Sequence, residues 1–577
     1  MKLSNVISDY VGCAQWLPHY NRQWLASDIV AAVVVTIMLI PQGLAYALLA
    51  GLPAQVGLYA SMAPLLAYAF FGSSRAMAVG PVAVASLMSA AAAGQFAQGD
   101  AALFYQASVA LALIGGAVLI VLGLLKAGFV ANLLSHPVVG GFVSASALLI
   151  ALGQLGALLG ISAKGETFLQ TGAVLLSKFD QLEWHTTLIG VASLLWLWLV
   201  RKWGKGVLKA LGLNGLALEI TFRAAPVVAI VCSIVAVSVM SLTQVRTVGV
   251  IPTGLPGFFF PTLIGAQWVS LIVPGVLIAL VGFVETVSVG HALAAKRKQR
   301  IEPNQELLGL GAANLASGVL GGYSVTGGFS RSVVNFDAGA QTPMAGVFTA
   351  GGILLATLFL TPLLTNLPHA TLAATIIIAV LGLIDWHLPK MLWSYSKRDF
   401  AAYLLTVMVV LSVGVEVGIV TGVIFSILAL LAAVSQPHLA IVGQVPGTEH
   451  FRNEKRHKVD MVPGVVSVRV DESLYFPNAR WLEDSILELS TSKQGTYALI
   501  LQCNAINHID ASALESLEKI DENLHAMGVT LYLSEVKGPV QDQLALSHWY
   551  ASIQPRIALT HLEAIDLAKK NISEHAS

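Results

Sequence analysis

The chain has 577 residues, of which 56% are hydrophobic and 11% are charged, and its mean hydropathy is +0.75. A soluble protein of this size would carry about twice that share of charged residues, so the composition indicates a polytopic membrane protein. The 32 basic and 32 acidic residues cancel, which gives no reason to expect a nucleic-acid partner. The cysteines Cys13, Cys232 and Cys503 lie far apart, so neither a disulfide framework nor a metal site is expected.

Apolar segments along the chain predict about fourteen membrane helices. No compact apolar core with a small-residue cleavage site precedes the first of them, so we expect no signal peptide. The predicted segments are 28–49, 53–71, 80–94, 102–124, 132–159, 186–203, 223–242, 269–292, 305–322, 329–339, 342–363, 368–385, 399–414 and 416–435. Two of them, 80–94 and 329–339, are shorter than the ~20 helical residues that cross a bilayer.

The basic residues fall in alternate loops. If the N-terminus is inside, the positive-inside rule places Arg75, Lys126 and the basic clusters in 201–209, 296–300 and 390–398 in the cytoplasm. The opposite loops are mixed or acidic. Both termini are therefore expected in the cytoplasm of a cell whose cytoplasmic (inner) membrane holds the protein. The two halves of seven segments then have opposite orientations, because an odd number of segments per half inverts the second half.

The two short segments begin alike. Gly80 and Pro81 open the first, and Gly327 and Gly328 precede the second. Pro81 suits the first turn of a helix. A helix that starts inside the membrane presents free backbone N–H groups and roughly +0.5 of a charge, to which Arg331 adds a full charge. Two short, interrupted segments in corresponding places indicate an inverted-repeat transporter whose expected guest is an anion.

The character of the chain changes after residue 435. Prolines, a glycine and a charged run at 452–458 predict a linker over 436–460. Beyond it, strand patterns at 465–470, 497–501 and 529–533 alternate with helical patterns at 479–489 and 512–527, which predicts a mostly parallel sheet flanked by helices. The expected domains are a cytoplasmic segment 1–27, a transmembrane domain 28–435, the linker 436–460 and an α/β domain 461–577 at the cytoplasmic face.

Several motifs in order along the chain resemble those of a known family. They are PQGLAYA at 41–47, GLY at 57–59, Gly80-Pro81, Glu285 with Gly290, and TGGFSRS at 326–332. The chain resembles the sulfate permease (SulP) anion transporters, which are related to the animal anion exchangers and to prestin. Its last part resembles a STAS domain, with NAINHIDASAL at 504–514 in place of the signature loop.

The resemblance implies an all-α membrane domain of seven plus seven inverted segments, divided into a core and a gate domain and followed by a cytoplasmic α/β STAS domain. It also implies a homodimer, an elevator-like motion, and an anion site between the starts of the third and tenth helices. The expected substrate-binding residues are Gln42, Tyr46, Pro81, Val82, Ala83, Phe329, Ser330 and Arg331.

These residues have distinct expected roles. Arg331 supplies the positive charge, Ser330 and backbone N–H groups supply hydrogen bonds, and Val82 and Phe329 form apolar walls. Gln42 and Tyr46 are one turn apart on the first helix and so share a face. The alternatives are that Arg331 extends to the membrane interface, and that Tyr46 serves helix packing.

Glu285 is the expected proton-coupling residue, because a carboxylate within a membrane span is costly and by default functional. Beside an anion site it would repel the guest when ionised and admit it when protonated. The alternative is a structural partner for Arg331. Sodium coupling is less favoured: bicarbonate-importing relatives carry an Asp at this position and a Thr one turn later, where this chain has Val289. The hydroxyl-bearing residues Thr286 and Ser288 leave sodium coupling as an alternative.

Three further polar residues have interpretations. Ser512 matches the serine that anti-anti-sigma factors phosphorylate, so it is a possible regulatory site. The alternative is an N-cap, with Asp510 or Ser512 starting the helix. Asn314 and Asn335 are interpreted as polar groups in helix packing.

The resulting functional prediction is a secondary active transporter of an inorganic oxyanion, first of all sulfate taken up with protons. The alternatives are a sodium- or proton-coupled bicarbonate or C4-dicarboxylate transporter and a chloride or anion exchanger. A passive anion channel and a signalling receptor with the STAS domain as output are rivals of other classes. No catalytic constellation predicts an enzyme, and no cofactor is expected. Membrane lipid and a cytoplasmic partner of the STAS domain are further expected partners.

Overall fold

A computed structural model describes residues 11–133, 135–162, 165, 167–214, 217–218, 221–222, 224–250, 257–492 and 495–575. The chain divides into two compact units after Ser426. Residues 1–10 of the predicted cytoplasmic segment 1–27 lie outside the described residues. The first residue of the predicted span 223–242 and the last two residues of the predicted domain 461–577 also lie outside them.

The first unit is built mainly of helices. Those in its first half are α1 (Cys13–Trp16), α2 (Arg22–Leu49), α3 (Ala54–Phe71), α4 (Ala83–Ala97), α5 (Ala101–Leu124), α6 (His136–Leu159), α7 (Phe168–Ser177), α8 (Trp184–Leu199), α9 (Lys205–Ala210) and α10 (Ala225–Val239). The second half holds α11 (Gly265–Lys296), α12 (Pro303–Val319), α13 (Phe329–Asp337), α14 (Met344–Phe359), α15 (His369–Leu381), α16 (Leu388–Tyr395) and α17 (Lys397–Ser412). The next helix, α18 (Val415–Ser435), runs through the point of division.

Each predicted apolar segment coincides with a helix of this set. Among the described residues, six helices are long and apolar enough to cross a membrane: α2, α3, α5, α6, α11 and α18. In the part of the chain that the structure describes, three helices contain an internal proline: Pro41, Pro64 and Pro274. Membrane helices tolerate it because neighbouring groups satisfy the freed carbonyls.

The helices α4 and α13 are short, as predicted. They have 15 and 9 residues, or ~22 and ~14 Å at 1.5 Å per residue, against a hydrocarbon core of ~30 Å. A two-residue strand precedes each: β1 (Val79–Gly80) and β2 (Thr326–Gly327). These strands pair antiparallel, with Val79 opposite Gly327 and Gly80 opposite Thr326. The two short helices therefore begin on opposite sides of one small ladder.

The start of α4 differs from the sequence prediction. Pro81 was expected in the first helical turn, but the helix begins at Ala83 and its N-cap residue, Val82, is extended at φ −132°. The pairing of Gly80 with β2 keeps the chain extended up to the proline, and a residue before proline is biased away from the helical region. Pro81 thus ends the ladder rather than opening the helix.

Two hydrophobic clusters of the first unit differ in their relation to the ladder. One surrounds the ladder with side chains from α2, α3, α5, α11 and α12, including Ala47, Val56, Tyr68, Leu119, Phe283, Leu307 and Leu310. The other joins α6, α8, α10 and α15 through Leu158, Leu197, Ala225, Ala373 and Ile377. Val79 of the ladder belongs to the first cluster, whereas Ala83 at the start of α4 packs in a third cluster that joins α2 and α3 to α6, α10 and α15.

The second unit is a sheet covered by helices. Its strands are β3 (Leu439–Gln444), β4 (Phe451–Asn453), β5 (Val465–Val470), β6 (Ala498–Gln502), β7 (Thr530–Ser534) and β8 (Ile557–Ala558), in the spatial order 4-3-5-6-7-8. Its remaining helices are α19 (Phe476–Ser492), α20 (Ala511–Ala526), α21 (Gly538–Leu544), α22 (Tyr550–Ile553) and α23 (His561–His575). From β5 to β8 the pairing is parallel, which confirms the predicted class of domain.

The stretch 436–460, expected as a linker, contributes to this sheet. β3 pairs antiparallel with β5, and β4 pairs antiparallel with β3. The prolines and glycine that suggested a linker lie just outside the strands: Pro437 precedes β3, and Pro446 and Gly447 form the turn between β3 and β4. They mark the ends of a hairpin, since turn residues punctuate strands as well as linkers.

A buried histidine connects a helix to this sheet. His561 opens α23 and is 1% exposed. Its Nδ1 lies 2.7 Å from Ser534 Oγ on β7, its Nε2 lies 2.9 Å from Ser467 Oγ on β5, and Phe451 contacts the ring. Burial lowers the pKa of His561 from 6.5 to about 4. The imidazole is therefore neutral in the folded domain at neutral pH.

We expect the domain to lose stability as the pH falls from 6.5 to about 4. Over that range His561 takes up a proton in the unfolded chain but not in the folded one, so protonation favours unfolding, by up to ~3 kcal/mol. Hydrogen exchange of β5 and β7 in the full-length protein, corrected for its intrinsic pH dependence, measures the effect. His561→Phe should be less stable at neutral pH and lack this part of the pH dependence. An unchanged pH profile in the variant would assign the dependence to other groups.

Candidate functional site

The ladder brings an arginine against two glycines. A Cβ added at Gly80 would lie 2.8 Å from Arg331 Nη1, and one added at Gly328 would lie 2.8 Å from Nη2 and 2.9 Å from Nε. Side chains at those positions would displace the guanidinium. The glycines that suggested half-helix starts therefore also make room for the charge.

Arg331 is buried and incompletely paired. It is 2% exposed, and Nη1 and Nη2 have no hydrogen-bond partner in the described part of the chain. Its electrostatic neighbours are Tyr46, Tyr323 and Glu285. A buried charge without partners is costly, so native structures normally pair it with protein groups or with a ligand. The two nitrogens are thus ready to donate hydrogen bonds to an anion.

Glu285 lies beside the ladder on α11. Its Oε2 accepts a hydrogen bond from Thr326 Oγ1 at 3.4 Å, and neither terminal nitrogen of Arg331 donates to it among the described residues. The two charges interact across a distance rather than as a hydrogen-bonded pair. No direct contact therefore supports the alternative interpretation, in which Glu285 is a structural partner of Arg331.

The other expected substrate-binding residues divide by exposure. Pro81, Val82 and Ala83 are buried at the start of α4, whereas Phe329 and Ser330 are exposed at the start of α13. On α2, Tyr46 is buried and interacts electrostatically with Arg331. Gln42 is half-buried one turn earlier. The ladder unites the two helix starts and Arg331, and α2 lies alongside.

Polar side chains hold the extended segments in place. Asn314 on α12 donates to the carbonyl of Val325 and accepts from its N–H, both at 2.9 Å. Thr286 Oγ1 accepts from Gly327 N at 2.9 Å, and Ser332 Oγ accepts from Ala78 N at 3.0 Å. Asn335 Nδ2 donates to the carbonyl of Ala76 at 3.1 Å. The asparagines interpreted as helix-packing groups instead fix the backbone that leads into the site.

Sequence reasoning missed a second buried carboxylate. Glu306, in the first turn of α12, is 0% exposed and accepts from Tyr68 Oη, Ser73 N, Ser73 Oγ and Ser74 N at 2.6 to 3.0 Å. It clamps the turn between α3 and β1. The available signal was an acidic residue just inside an apolar segment, which marks a paired or functional group.

Glu306→Ala is expected to lower the melting temperature of the purified protein markedly. It removes the charged acceptor of the backbone N–H groups of Ser73 and Ser74 and of the hydroxyls of Ser73 and Tyr68, at a cost of ~3 kcal/mol or more. Glu306→Gln is the matched control: its amide oxygen can accept from the serine groups while its NH₂ donates to Tyr68, so most of the stability should return. Equal losses in both variants would show that the negative charge, not the hydrogen-bond geometry, holds the turn.

Comparison with known proteins identifies the family to which this architecture belongs. The model of the sulfate permease family matches residues 25–406, and that of the STAS domain matches residues 457–564. The chain belongs to the sulfate permease family. Sulfate transporter 4.1, chloroplastic, of Arabidopsis thaliana is 34% identical over 95% of this chain and 80% of its own length. A probable sulfate transporter of Mycobacterium tuberculosis is 31% identical over 95% of this chain and 96% of its own.

Solved structures of low sequence identity share the fold. The murine solute carrier 26 family member A9 anion transporter, in an inward-facing state, has a TM-score of 0.90 at 22% identity and covers 99% of this chain and 95% of its own. The transmembrane domain of the cyanobacterial bicarbonate transporter BicA has a TM-score of 0.59 at 20% identity, over 71% of this chain and 98% of its own. This sulfate permease family member is thus a polytopic membrane transporter of anions with a C-terminal STAS domain, and not an enzyme.

In the STAS domain, Asp510 rather than Ser512 caps the helix. Its Oδ1 accepts from Ala513 N at 2.9 Å, and its Oδ2 accepts from Phe476 N at 2.7 Å, which ties α20 to α19. Ser512 is exposed in the first turn of α20. Its hydroxyl is therefore accessible, in a helix start that favours negative charge.

Proposed function

We propose that this protein takes up sulfate together with protons as a secondary active transporter. The observation that carries the proposal is the buried Arg331 guanidinium, whose two terminal nitrogens have no partner in the described residues. A tetrahedral dianion offers oxygen acceptors to both. The names of the Arabidopsis and mycobacterial relatives, which are those of sulfate transporters, support the choice of anion.

The anion binds between the starts of α4 and α13. The first backbone N–H groups of both helices lack intrahelical partners and point toward the ladder region. In α4 they follow Pro81, Val82 and Ala83, and in α13 they lie around Phe329. They donate to the anion together with Ser330 and Arg331. Val82 and Phe329 wall the site with apolar surface, and Gln42 and Tyr46 contact the guest from α2.

Proton coupling resides in Glu285. Its interaction with Arg331 across the ladder means that ionised Glu285 competes with an anion for the same positive charge. Protonated Glu285 leaves Arg331 free for the guest. Co-transported protons also offset the charge of sulfate, whose entry opposes an inside-negative potential at ~2.3 kcal/mol per charge per 100 mV.

The proposed assembly follows the family resemblance. Fourteen spans form two inverted halves of seven in a cytoplasmic (inner) membrane, divided into a core and a gate domain that move in an elevator-like manner, with both termini in the cytoplasm. The protein is a homodimer in contact with membrane lipid. The domains keep the proposed bounds 1–27, 28–435, 436–460 and 461–577, except that the sheet strands in 439–453 join the last of them structurally. Ser512 is a possible regulatory site that a cytoplasmic partner of the STAS domain would recognise.

Uptake into proteoliposomes tests the proposal. Purified protein receives radiolabelled sulfate, bicarbonate or succinate with an inward proton gradient, an inward sodium gradient or neither. Accumulation of sulfate above its equilibrium level only with the proton gradient supports the proposal.

Three outcomes would contradict it. Sodium-driven bicarbonate uptake, or succinate uptake, would show that the transported anion is bicarbonate or succinate rather than sulfate. Flux far above carrier turnover and indifferent to both gradients would indicate a channel. Binding without flux would favour a receptor.

A further inference from the structure

Two cavities of the first unit meet at one residue of α11. The larger, called the outer cavity, has a volume of about 270 Å³ and is lined by Val284, Ser288 and His291 of α11, by the 3-10 turn Gly128–Leu133 and by the start of α12. The smaller, called the inner cavity, has a volume of about 10 Å³ and is lined in part by Glu285. Val284 lines both cavities. It therefore lies between the two spaces, on the helix that carries Glu285.

The spacing of residues along α11 explains this arrangement. Val284, Ser288 and His291 are four and three residues apart, so they lie on one face of the helix. Glu285 is turned by ~100° from Val284, which directs it to the neighbouring space. At 1.5 Å per residue, His291 lies ~9 Å from Glu285 along the helix axis. Water must bridge the two side chains, because a hydrogen bond spans only ~3 Å.

The outer cavity is suited to hold that water. It has room for several water molecules, each of which occupies ~30 Å³ in the liquid. Ser288 Oγ donates to the carbonyl of Val284 at 2.7 Å, so its lone pairs remain available as acceptors. Asn304 Oδ1 accepts from Gly128 N at 2.8 Å, which fixes the turn against α12. Ser288, Asn304 and His291 give water the polar partners that it needs.

The inner cavity admits a proton but not an anion. Glu285 is the only ionisable side chain in its described lining, and the others are apolar side chains of α4, α6, α11 and α18, such as Val84, Phe142 and Ile419. A volume of about 10 Å³ holds roughly one water molecule, which is far less space than a hydrated sulfate needs. The route from Glu285 to the outer cavity is therefore selective for protons by its size.

The outer cavity lies at the side of the protein that is expected in the cytoplasm. The turn Gly128–Leu133 follows Lys126, and α12 follows the basic cluster in 296–300, both of which the positive-inside rule assigns to the cytoplasm. His291 is exposed and is the only ionisable side chain in the described lining of this cavity. Histidine is the side chain that most readily takes up and releases a proton near neutral pH. His291 can thus accept a proton from Glu285 and release it to the cytoplasm.

We propose that His291 relays the coupling proton between Glu285 and the cytoplasm through water in the two cavities. The carboxyl of Glu285 gives its proton to water in the inner cavity, and water beside Ser288 passes a proton to the neutral imidazole of His291. The imidazolium then releases a proton to cytoplasmic water and returns to its neutral form, so one proton has moved. Val284 separates the two spaces and limits leakage. This inference rests on the proposed coupling role of Glu285 and adds the path by which its proton leaves.

Chemical rescue in proteoliposomes tests the relay in the full-length protein. His291→Ala should slow proton-driven sulfate accumulation at least ~10-fold, since a positioned proton-transfer group typically contributes ~10²–10⁴-fold. Imidazole on both sides of the membrane should restore the rate, because the outer cavity is large enough to admit it. The buffer MES at equal buffering power should not restore it. Exchange of labelled for unlabelled sulfate at equal concentrations should keep its wild-type rate, because it needs no net proton movement.

A second histidine of the first unit gives the matched control. His369 opens α15 and is absent from the described lining of both cavities, so His369→Ala should accumulate sulfate at the wild-type rate with or without imidazole. The relay is overturned if His291→Ala accumulates sulfate at the wild-type rate, if imidazole fails to rescue it, or if MES rescues it equally. Loss of sulfate exchange in His291→Ala would instead assign His291 a structural role.

An infrared measurement separates failure of the relay from failure of the proposed function. At a pH low enough to keep Glu285 protonated, its carboxyl should give a C=O band that is absent from Glu285→Gln. On transfer to D₂O, that band should shift more slowly in His291→Ala than in the wild-type protein, and imidazole should restore the speed. No substrate takes part, so the result decides the relay even if protons do not drive sulfate accumulation. Equal rates of deuteration would overturn the relay and leave the transport proposal to the uptake experiment.

Discussion

Arg331→Met is expected to abolish sulfate uptake without destabilising the anion-free protein. Two charge-assisted hydrogen bonds to the anion are lost, each worth ~1.5–3 kcal/mol, so apparent affinity should fall at least ~100-fold. Nη1 and Nη2 have no partner in the described residues. Removing the guanidinium therefore breaks no terminal hydrogen bond and relieves the desolvation of a buried charge. The melting temperature without anion should be unchanged or higher.

The anion itself separates binding from structure in this test. Sulfate should raise the melting temperature of the wild-type protein, since it binds the folded state, and should have no effect on Arg331→Met. Calorimetric titration and uptake report the same loss independently. A variant that melts early yet keeps its sulfate shift would show that Arg331 supports the fold and that the anion binds elsewhere.

Arg297→Met provides the matched control. Arg297 follows α11 and donates to the carbonyls of Ala340 and Phe336 at 2.5 and 3.3 Å, with its guanidinium 4.3 Å from the Phe336 ring centroid. It is an arginine whose hydrogen bonds are made within the protein. Its removal should lower the melting temperature without anion and leave the sulfate shift in place, the reverse of the Arg331 result.

The contrast between these arginines shows what sequence reasoning can reach. Two short apolar segments opened by glycines, and a charge inside one of them, suffice to predict half-helices and to single out Arg331. Periodicity and length carry that prediction because they are local properties. They say nothing of hydrogen-bond partners, so the sequence does not show that Arg297 bonds to backbone carbonyls whereas Nη1 and Nη2 of Arg331 have no partner in the described residues.

The pairing of β1 with β2 could not be predicted from local sequence patterns, for a physical reason. It joins segments that are 254 residues apart where Ala78 N donates to Ser332 Oγ, and a two-residue strand leaves no periodic signal. The same holds for Asn314, whose bonds to Val325 N and O depend on the return of the chain after α12. Polar residues in apolar helices could be flagged as costly, but their backbone partners could not be named.

The second unit shows a different ambiguity. Central strands such as β5 and β6 are predicted within a residue, because a buried parallel strand is a continuous β-branched and aliphatic run. The edge hairpin of β3 and β4 was missed, since its short strands are flanked by Pro437, Pro446 and Gly447. Prolines and glycines bound short strands as they do linkers, so the two cannot be distinguished by these residues alone.

Glu285→Gln is expected to separate sulfate movement from the proton gradient. Glutamine has nearly the size of a protonated glutamate and cannot ionise, so the site next to Arg331 stays permanently in the state that admits the anion. An inward gradient of about two pH units drives roughly 100-fold accumulation per coupled proton, and this accumulation should disappear. Exchange of labelled for unlabelled sulfate at equal concentrations should continue, because it needs no net proton movement.

Glu416→Gln is the control for this effect. Glu416 is also a half-buried carboxylate in an apolar helix, in the first turn of α18, and its Oε1 has no hydrogen-bond partner among the described residues. It is not among the electrostatic neighbours of Arg331, so its neutralisation should leave proton-driven accumulation intact. If Glu285→Gln still accumulates sulfate with the gradient while Glu416→Gln does not, the coupling proton binds at α18. Because an anion can bind Arg331 whichever carboxylate takes the proton, that result would move the proton site and leave the anion site at the ladder.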